Sequence, residues 1–338
     1  KLFLFTITII LLSALALPQL AFANELVQEY VIQNVEQPIQ QKGLKSMSIQ
    51  TANQISTNKY EVINTTKVEL EERQKSGEII AFQPNRILRT SLSTSVPLIN
   101  ATSVWPITHD GINNTGVDQT ICIIDTGIDE SHPDLAGRQL YEYDFYNSQP
   151  TVTDIDGHGT HVAGIALANG GARGVAPGAN YVDLKILEND FGFTADLISA
   201  INFCTTNKET YNISVISMSL GSTTLFSSVC DASDSIVTSA VDAAVAKNIT
   251  VIAASGNSFS NTQISSPACI SSVLAVGATT NSDTFADFSN QNQLVDIVAP
   301  GSGIISTNET GGYGVKSGTS MSTPHVAGVL ALIMQFAE

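Results

Sequence analysis

Positive charge is scarce in this sequence of 338 residues. It holds 15 lysines and arginines against 31 aspartates and glutamates, a net charge of −16. The imbalance falls beyond residue 92, where six basic residues face 23 acidic ones. A surface this acidic repels the phosphate groups of nucleic acid and of anionic lipid. We therefore expect neither among the partners of the protein.

Long apolar runs are missing after residue 23. Before that point, Lys1 precedes an almost unbroken apolar run over residues 2–17, and Ala21-Phe22-Ala23 offers small residues where a signal peptidase cuts. A membrane span is the competing interpretation, but the run is short for a bilayer and no positively charged stop-transfer flank follows it. We interpret residues 1–23 as a signal peptide and expect a secreted protein without a membrane anchor.

Cysteines are also few, with four in the chain. An exported chain permits disulfides, and four cysteines allow three complete pairings. Cys230 and Cys269 have loop-like surroundings and are the predicted pair. Cys122 lies within an apolar run, which predicts a small buried core residue, while Cys204, on a predicted helix, stays unassigned.

Several catalytic motifs are absent. Asp125-Thr126-Gly127 has no second Asp-Thr-Gly or Asp-Ser-Gly, whereas aspartic proteases need two carboxylates that share a proton. The Gly-x-Ser-x-Gly sequence of α/β-hydrolases, followed by acid and then histidine, does not occur. His158-x-x-His161 lacks the His-Glu-x-x-His spacing of zinc proteases, and there is no Gly-rich phosphate-binding loop. These enzyme classes are excluded.

From residue 120 onward, apolar strand-like runs alternate with helical patterns. In the clearest helix, residues 235–247, one apolar face follows Asp234 as the predicted N-cap. Continuous apolar strands between helices indicate a mostly parallel sheet covered on both faces, a three-layer α/β/α fold. The predicted strands are Thr120–Ile124, Tyr181–Leu187, Ser214–Leu220, Thr250–Ala254, Val273–Val276 and Val295–Val298.

Three Gly-rich segments carry an acid, a base and a hydroxyl. They are Asp125-Thr126-Gly127, the segment 157–164 with His158, and the segment 318–328 with Ser320. Asp125 and Asn257 follow predicted strands, whereas His158 and Ser320 open predicted helices, a geometry consistent with one site at the carboxyl edge of the sheet. Taken singly, the aspartate, the serine and Gly256-Asn257 are also what turns and helix caps use.

These motifs and their chain order of Asp, His and Ser closely resemble the subtilisin-like serine proteases (subtilases), over residues 93–338. The resemblance implies a secreted serine endopeptidase that works through an acyl-enzyme. Ser320 corresponds to its nucleophile, His158 to its general base and Asp125 to the carboxylate that orients the imidazole. Asn257 corresponds to the oxyanion amide, and His161 to a histidine that is structural in the family.

The resemblance also implies where a peptide substrate binds. Ser219-Leu220-Gly221 matches the edge strand that hydrogen-bonds the peptide backbone, and residues 190–193, including Gly192, match the opposite side. A peptide added there as an extended strand is recognised mainly through its backbone, so we expect broad specificity. Phe191 and Phe193 have two interpretations, as pocket residues or as core packing.

Residues 24–92 are polar and rich in glutamine. Between residues 68 and 89, a helix-like piece precedes the strand-like Ile79-Ile80-Ala81-Phe82. This resembles the tail of a small α+β subtilase prosegment, which assists folding and blocks the active site until it is cut, here near residue 92. A disordered spacer is the competing interpretation. The prosegment is thus an expected intramolecular partner of a monomeric enzyme.

Asp134, in Ser131-His132-Pro133-Asp134, matches a ligand of the calcium site of the family, and carboxylate and carbonyl oxygens suit that ion. The segment 165–173, which supplies other ligands, is about three residues shorter than the family pattern, and Thr94 stands where glutamine is usual. The expectation is therefore structural calcium at Asp134, with capping of a turn as the alternative. No cofactor is expected for the chemistry.

Two other functions remain open at this point. One is a subtilase-fold domain that binds peptides without cleaving them, and the other is an esterase using the same triad. The intact set of Asp125, His158, Asn257 and Ser320 argues against the first. The chain stops inside or just after a predicted helix over residues 321–336, so the catalytic domain is expected to be truncated at its C-terminus.

Overall fold

The computed structural model describes residues 28–34, 60–84 and 92–336. The predicted signal peptide lies outside these residues. The chain forms two compact units, Lys1–Leu88 and Arg89–Glu338. Within the described ranges, no helix has the length and apolar character that a membrane span requires.

In the first unit, the described residues form a small sheet and a helix. Strands β1 (Gln28–Asn34), β2 (Tyr60–Thr65) and β3 (Ile79–Pro84) pair antiparallel in the order β2-β1-β3. Helix α1 (Lys67–Lys75) connects β2 to β3, and the Thr66 hydroxyl caps it by accepting a hydrogen bond from the Glu69 N–H. A helix and a strand thus occur where the sequence pattern predicted them.

The second unit alternates strands and helices. In chain order its elements are α2 (Leu92–Leu98), a 3-10 turn (Ala101–Ser103), β4 (Thr108–His109), β5 (Ile112–Asn113), β6 (Thr120–Asp125), β7 (Gln139–Asp144), α3 (His158–Leu167), β8 (Asn180–Lys185), β9 (Leu187–Glu188), β10 (Phe191–Gly192), α4 (Thr194–Thr206), α5 (Lys208–Tyr211), β11 (Ile213–Met218), β12 (Leu225–Phe226), α6 (Ser235–Val245), β13 (Thr250–Ala254), β14 (Ile264–Ser265), β15 (Leu274–Thr279), β16 (Ile297–Pro300), β17 (Ile304–Thr307), β18 (Tyr313–Lys316) and α7 (Thr319–Met334).

Seven of these strands form one parallel sheet, in the order β16-β15-β13-β11-β6-β8-β7. The remaining short strands of this unit pair as two-stranded ribbons. The central strand β6 shows why both faces are covered. Its residues Ile121 and Ile123 join one buried cluster with α3 and α7, whereas Cys122 and Ile124 join a second cluster with α4 and α6. Because side chains alternate along a strand, β6 contributes to a hydrophobic core on each face of the sheet. The predicted three-layer fold is confirmed.

One of the two disulfides was predicted from the sequence. Cys230 and Cys269 are bonded, as predicted. Cys122 is buried, as predicted, and it is also bonded to Cys204, a pairing that the sequence left open. The bond joins β6 to α4, and the two elements pack together in one buried cluster. Spacing in the sequence alone does not show this proximity.

Candidate active site

Asp125 is the last residue of β6 and lies at the carboxyl edge of the sheet. Its side chain is fully buried, and its Oδ1 accepts a hydrogen bond of 2.8 Å from the Thr126 N–H. Gly127 follows with φ +103°, and a Cβ at that position would meet Val152 Cγ1 at 2.5 Å. Only glycine fits this turn, which bends the chain away and leaves the carboxylate directed towards the neighbouring helix.

His158 opens helix α3 and faces that carboxylate. Its Nδ1 lies 2.6 Å from Asp125 Oδ1, and its side chain is 27 % exposed. Gly157 turns the chain into the helix at φ +67°. A hydrogen bond to the carboxylate places the proton on Nδ1, so Nε2 is the nitrogen left to accept a proton.

The charge of Asp125 sets the basicity of His158. Burial, the largest influence, lowers the pKa of the imidazole, but the Coulombic attraction of Asp125 and its hydrogen bond raise it. Among the smaller influences, the positive charge of Lys316 lowers the pKa of His158 and the negative charge of Asp154 raises it. The net pKa of His158 is higher than its ordinary value, because the carboxylate stabilises the imidazolium more than burial disfavours it.

Asp154 fixes the start of α3 against Thr126. Its Oδ1 accepts the Thr126 hydroxyl at 3.0 Å and the N–H groups of residues 156 and 157 at 3.1 and 2.9 Å. Its Oδ2 accepts the N–H and hydroxyl of Thr160 at 3.0 and 2.6 Å. Thr126 Oγ1 in turn accepts the Gly159 N–H at 2.9 Å. No sequence motif marked Asp154, although Asp shortly before a helix is a capping signal.

His161 lies on the same helix but away from the cleft. It is fully buried, and its Nε2 is 3.1 Å from the carbonyl oxygens of Ile304 and Gly314. Burial lowers its pKa to about 4, so it stays neutral at pH 7. These contacts tie α3 to the ribbon formed by β17 and β18.

Ser320 is the second residue of α7. Its hydroxyl donates to the Ser219 carbonyl at 3.0 Å, and the Ser219 hydroxyl donates to the Ser320 carbonyl at 2.9 Å. This reciprocal pair anchors the start of α7 to the residue that follows β11. Ser320 and His158 line one cleft of about 470 Å³.

Asn257 lies in the turn after β13 and lines the same cleft. Its Oδ1 accepts both the N–H and the hydroxyl of Thr319, at 2.9 and 3.0 Å. The amide is thereby oriented, because Oδ1 is engaged and Nδ2 remains as a donor. A Cβ on Gly318 would lie 3.3 Å from that Nδ2, so glycine keeps its surroundings open.

Ser219, Leu220 and Gly221 form one flank of the cleft, and Leu187 with Asp190 contributes to the rest of its lining. The lining also includes Lys316, Ser317 and Met321, to which the sequence assigned no role in the site. Lys316 is the one cation among the lining residues. No motif marked it, because a single lysine at the end of a short strand carries no pattern.

Gly192 lies in a neighbouring cavity of about 510 Å³ rather than in the cleft of His158 and Ser320. Leu220 and Gly221 line both cavities, so the two are continuous along that flank. Phe191 and Phe193 line the second cavity and are 71 % and 66 % exposed. Core packing is therefore wrong for both rings.

Asp134 lies apart from these cavities, and its carboxylate makes hydrogen bonds within the chain. Its Oδ2 already accepts the Ala172 N–H at 2.8 Å and the Tyr313 hydroxyl at 2.9 Å. Among the described residues, no cluster of three or more His, Cys, Asp or Glu side chains could hold a metal. The hydrogen bond to Ala172 fits the alternative, a carboxylate that caps a turn.

Comparison with known proteins identifies the family. Residues 116–338 match the model of the peptidase S8 subtilase family. The chain belongs to the subtilase family. The resemblance found in the sequence is thereby confirmed over most of the second unit.

Individual subtilases show the same relationship. Thermitase of Thermoactinomyces vulgaris is 37 % identical over 75 % of this chain and 85 % of its own length. Subtilisin E of Bacillus subtilis (strain 168) is 35 % identical over 81 % of this chain and 71 % of its own. The alkaline serine exoprotease A of Vibrio alginolyticus is 32 % identical over 87 % of this chain.

Solved structures agree with the sequence relatives. A cold adapted subtilisin-like serine proteinase is 36 % identical, with a TM-score of 0.57 over 68 % of this chain and 81 % of its own. Sphericase is 33 % identical, with a TM-score of 0.60 over 72 % and 85 %. The chain spans about half the length of some curated relatives, 54 % of the exoprotease and 52 % of a thermophilic serine proteinase from Bacillus sp. (strain AK1).

Proposed function

We propose that this protein is a secreted serine endopeptidase that hydrolyses peptide bonds through an acyl-enzyme on Ser320. One observation carries the proposal. Asp125 Oδ1 lies 2.6 Å from His158 Nδ1, and His158 shares its cleft with Ser320 and Asn257. A serine hydroxyl is a poor nucleophile until a neighbouring base takes its proton, and His158 is the base within that cleft.

The reaction begins when the Ser320 hydroxyl turns from the Ser219 carbonyl to His158 Nε2. Oγ bonds to the scissile carbonyl carbon as its proton passes to Nε2, and Asp125 stabilises the imidazolium that results. His158 then returns the proton to the amide nitrogen as the C–N bond breaks, leaving the acyl-enzyme. Water repeats the sequence in place of the hydroxyl and releases Ser320.

Asn257 is proposed to stabilise the oxyanion of the tetrahedral intermediate. Its Nδ2 is the free donor of an amide whose Oδ1 is held by Thr319. The Ser320 N–H, in the first turn of α7, is the second proposed donor, and the positive end of the helix favours negative charge there. Both groups are held in place before charge develops, which is what makes such donors effective.

The substrate is proposed to bind as an extended strand beside Ser219-Leu220-Gly221. This flank continues from the cleft into the cavity beside Gly192, which gives a peptide room on one side of the scissile bond. Backbone hydrogen bonds would supply most of the affinity. Broad endopeptidase specificity follows, and the chemistry needs no cofactor.

The precursor organisation is proposed from the sequence. Residues 1–23 direct secretion, and residues 24–92 form a prosegment that inhibits the enzyme until it is cut near residue 92. Relatives include a major intracellular serine protease of Bacillus subtilis (strain 168), 36 % identical, so family membership alone does not decide the compartment. Secretion rests on the signal-peptide pattern, and the mature enzyme is expected to act as a monomer.

Replacing the nucleophile tests the proposal. The full chain with Ser320→Ala is expected to lose casein hydrolysis and to accumulate uncut precursor, because the variant lacks the hydroxyl that is proposed to attack the peptide bond. Phenylmethylsulfonyl fluoride should label Ser320 in the wild type, and Ser317→Ala, which removes another hydroxyl of the cleft, should keep that label. Processing that continues in Ser320→Ala would show that another protease performs it.

Two alternative functions give different results in the same experiment. An esterase with this triad would hydrolyse a nitrophenyl ester and take the label but leave casein intact. A peptide-binding domain would bind casein peptides without cleaving them and would take no label. Wild-type cleavage of casein together with labelling of Ser320 contradicts both.

A further inference from the structure

Arg138 lies immediately before β7, at the centre of a group of carbonyl oxygens. Its Nη1 donates to the carbonyl oxygens of Leu167, Pro177 and Ala179, the last two at 3.3 and 3.2 Å. Its Nη2 donates to the Asp134 carbonyl at 2.5 Å. A positive group that gathers four carbonyl oxygens from separate segments makes the set of contacts that a bound structural cation makes.

The segments that Arg138 joins are distant in sequence. Leu167 is the last residue of α3, the helix that begins with His158. Pro177 and Ala179 lead into β8, and Asp134 belongs to the connection between β6 and β7. A cation at the carbonyl end of a helix is also favoured by the helix dipole.

The Asp134 carboxylate has no free face for a metal ion. Besides the two donors to Oδ2, the backbone of Gly170 packs against Oδ1, since a Cβ there would lie 1.9 Å from that oxygen. The Asp134 carbonyl also accepts the Asn169 N–H at 2.9 Å. Calcium takes six to eight oxygens at about 2.3–2.6 Å. Here Oδ2 of the carboxylate and the carbonyls accept hydrogen bonds from N–H and O–H donors, and the guanidinium would repel a second cation.

We propose that the Arg138 guanidinium replaces a structural cation at this end of the domain, so that these segments are held together without calcium. The short turn over residues 169–173 fits this arrangement, because it brings the Ala172 N–H rather than further oxygen ligands to Asp134. The proposal concerns folding stability and is independent of the proposed catalytic function.

Thermal unfolding of the full chain tests it, in a Ser320→Ala background to prevent self-digestion. Arg138→Met should lower the Tm by about 4–8 °C, since it leaves four carbonyls without their charged donor. Arg138→Lys keeps the charge but not the planar fork, so a smaller fall is expected. Arg173→Met is the matched control, because that guanidinium stacks 4.2 Å over Trp105 instead of gathering carbonyls. The Tm of Arg173→Met should fall the least of the three variants.

A second experiment compares the Tm with and without calcium, and it tests the proposal even if Arg138→Met does not fold. The wild-type Tm should be the same in EDTA and in millimolar calcium, or any difference should persist unchanged in Asp134→Asn. The proposal is overturned if calcium raises the wild-type Tm and Asp134→Asn abolishes the rise. It is also overturned if Arg138→Met melts at the wild-type temperature.

Discussion

Replacing Asp125 by asparagine removes the negative charge beside His158 while preserving the shape of the side chain. At the observed separation of 2.6 Å, an ion pair in surroundings of effective dielectric constant about 20 interacts by about 6 kcal/mol. A loss of that size corresponds to a fall of about 10⁴ in kcat/KM, the magnitude typical of a triad carboxylate changed to an amide.

The pH dependence has a definite sign. In the proposed mechanism His158 must be neutral to accept the serine proton, so the acid limb of kcat/KM is expected to report its pKa in the free enzyme. Asp125 holds that pKa above its ordinary value, whereas burial alone lowers it. Asp125→Asn should therefore move the acid limb to lower pH as well as reduce the rate.

The assay is hydrolysis of a chromogenic peptide by the processed enzyme, measured across pH. Because the proposed self-processing needs the triad, the proposed prosegment of the variant is removed in trans by the wild-type enzyme, which is then inactivated and separated. Asp156→Asn is the control, a half-buried carboxylate two residues before His158 whose Oδ2 accepts the Asn189 N–H. An Asp125→Asn enzyme within tenfold of the wild type, with an unmoved acid limb, would refute the role given to Asp125.

Two further predictions concern the oxyanion amide and the buried histidines. Asn257→Ala should lower kcat by about 10²–10³ with little change in KM, a magnitude that comes from subtilisin itself; a change confined to KM, measured on the same peptide, would assign Asn257 to substrate binding instead. His161 and His325 are fully buried with pKa values lowered to about 4, so these two side chains take up two protons on unfolding between about pH 6.5 and 4, against the one proton that Asp183, whose pKa is raised by burial, releases. The free energy of unfolding of the Ser320→Ala chain in urea should accordingly fall as pH drops through that window, and a flat profile would contradict neutral burial.

The strands could be predicted where both faces are buried. Continuous apolar runs located β6, β11 and β13 to within a residue or two, since a strand covered on both sides admits few polar residues. The edge strand β7, Gln139–Asp144, was missed because its half-exposed side chains leave no such run. Asp234 precedes α6 as predicted, but its side chain makes no capping hydrogen bond.

Within the candidate site, short motifs located residues that chemistry requires, but not the contacts that position them. Asp154 becomes recognisable only when the turn brings Thr126 and Thr160 to its two oxygens. The contacts of Asp134, whose motif suggested calcium, were likewise not predictable from the motif. Its actual partners, Ala172 and Tyr313, come from segments whose approach depends on the whole fold.

The most direct test of the central claim is a crystal structure of the protein inactivated with phenylmethylsulfonyl fluoride. The claim is that Asp125, His158, Ser320 and Asn257 act together on one substrate carbonyl. It predicts a sulfonyl group bonded to Ser320 Oγ, with one sulfonyl oxygen hydrogen-bonded to Asn257 Nδ2 and His158 Nε2 facing Oγ. A sulfonyl group on another residue, or one whose oxygens lie away from Asn257 with His158 turned out of the cleft, would contradict it.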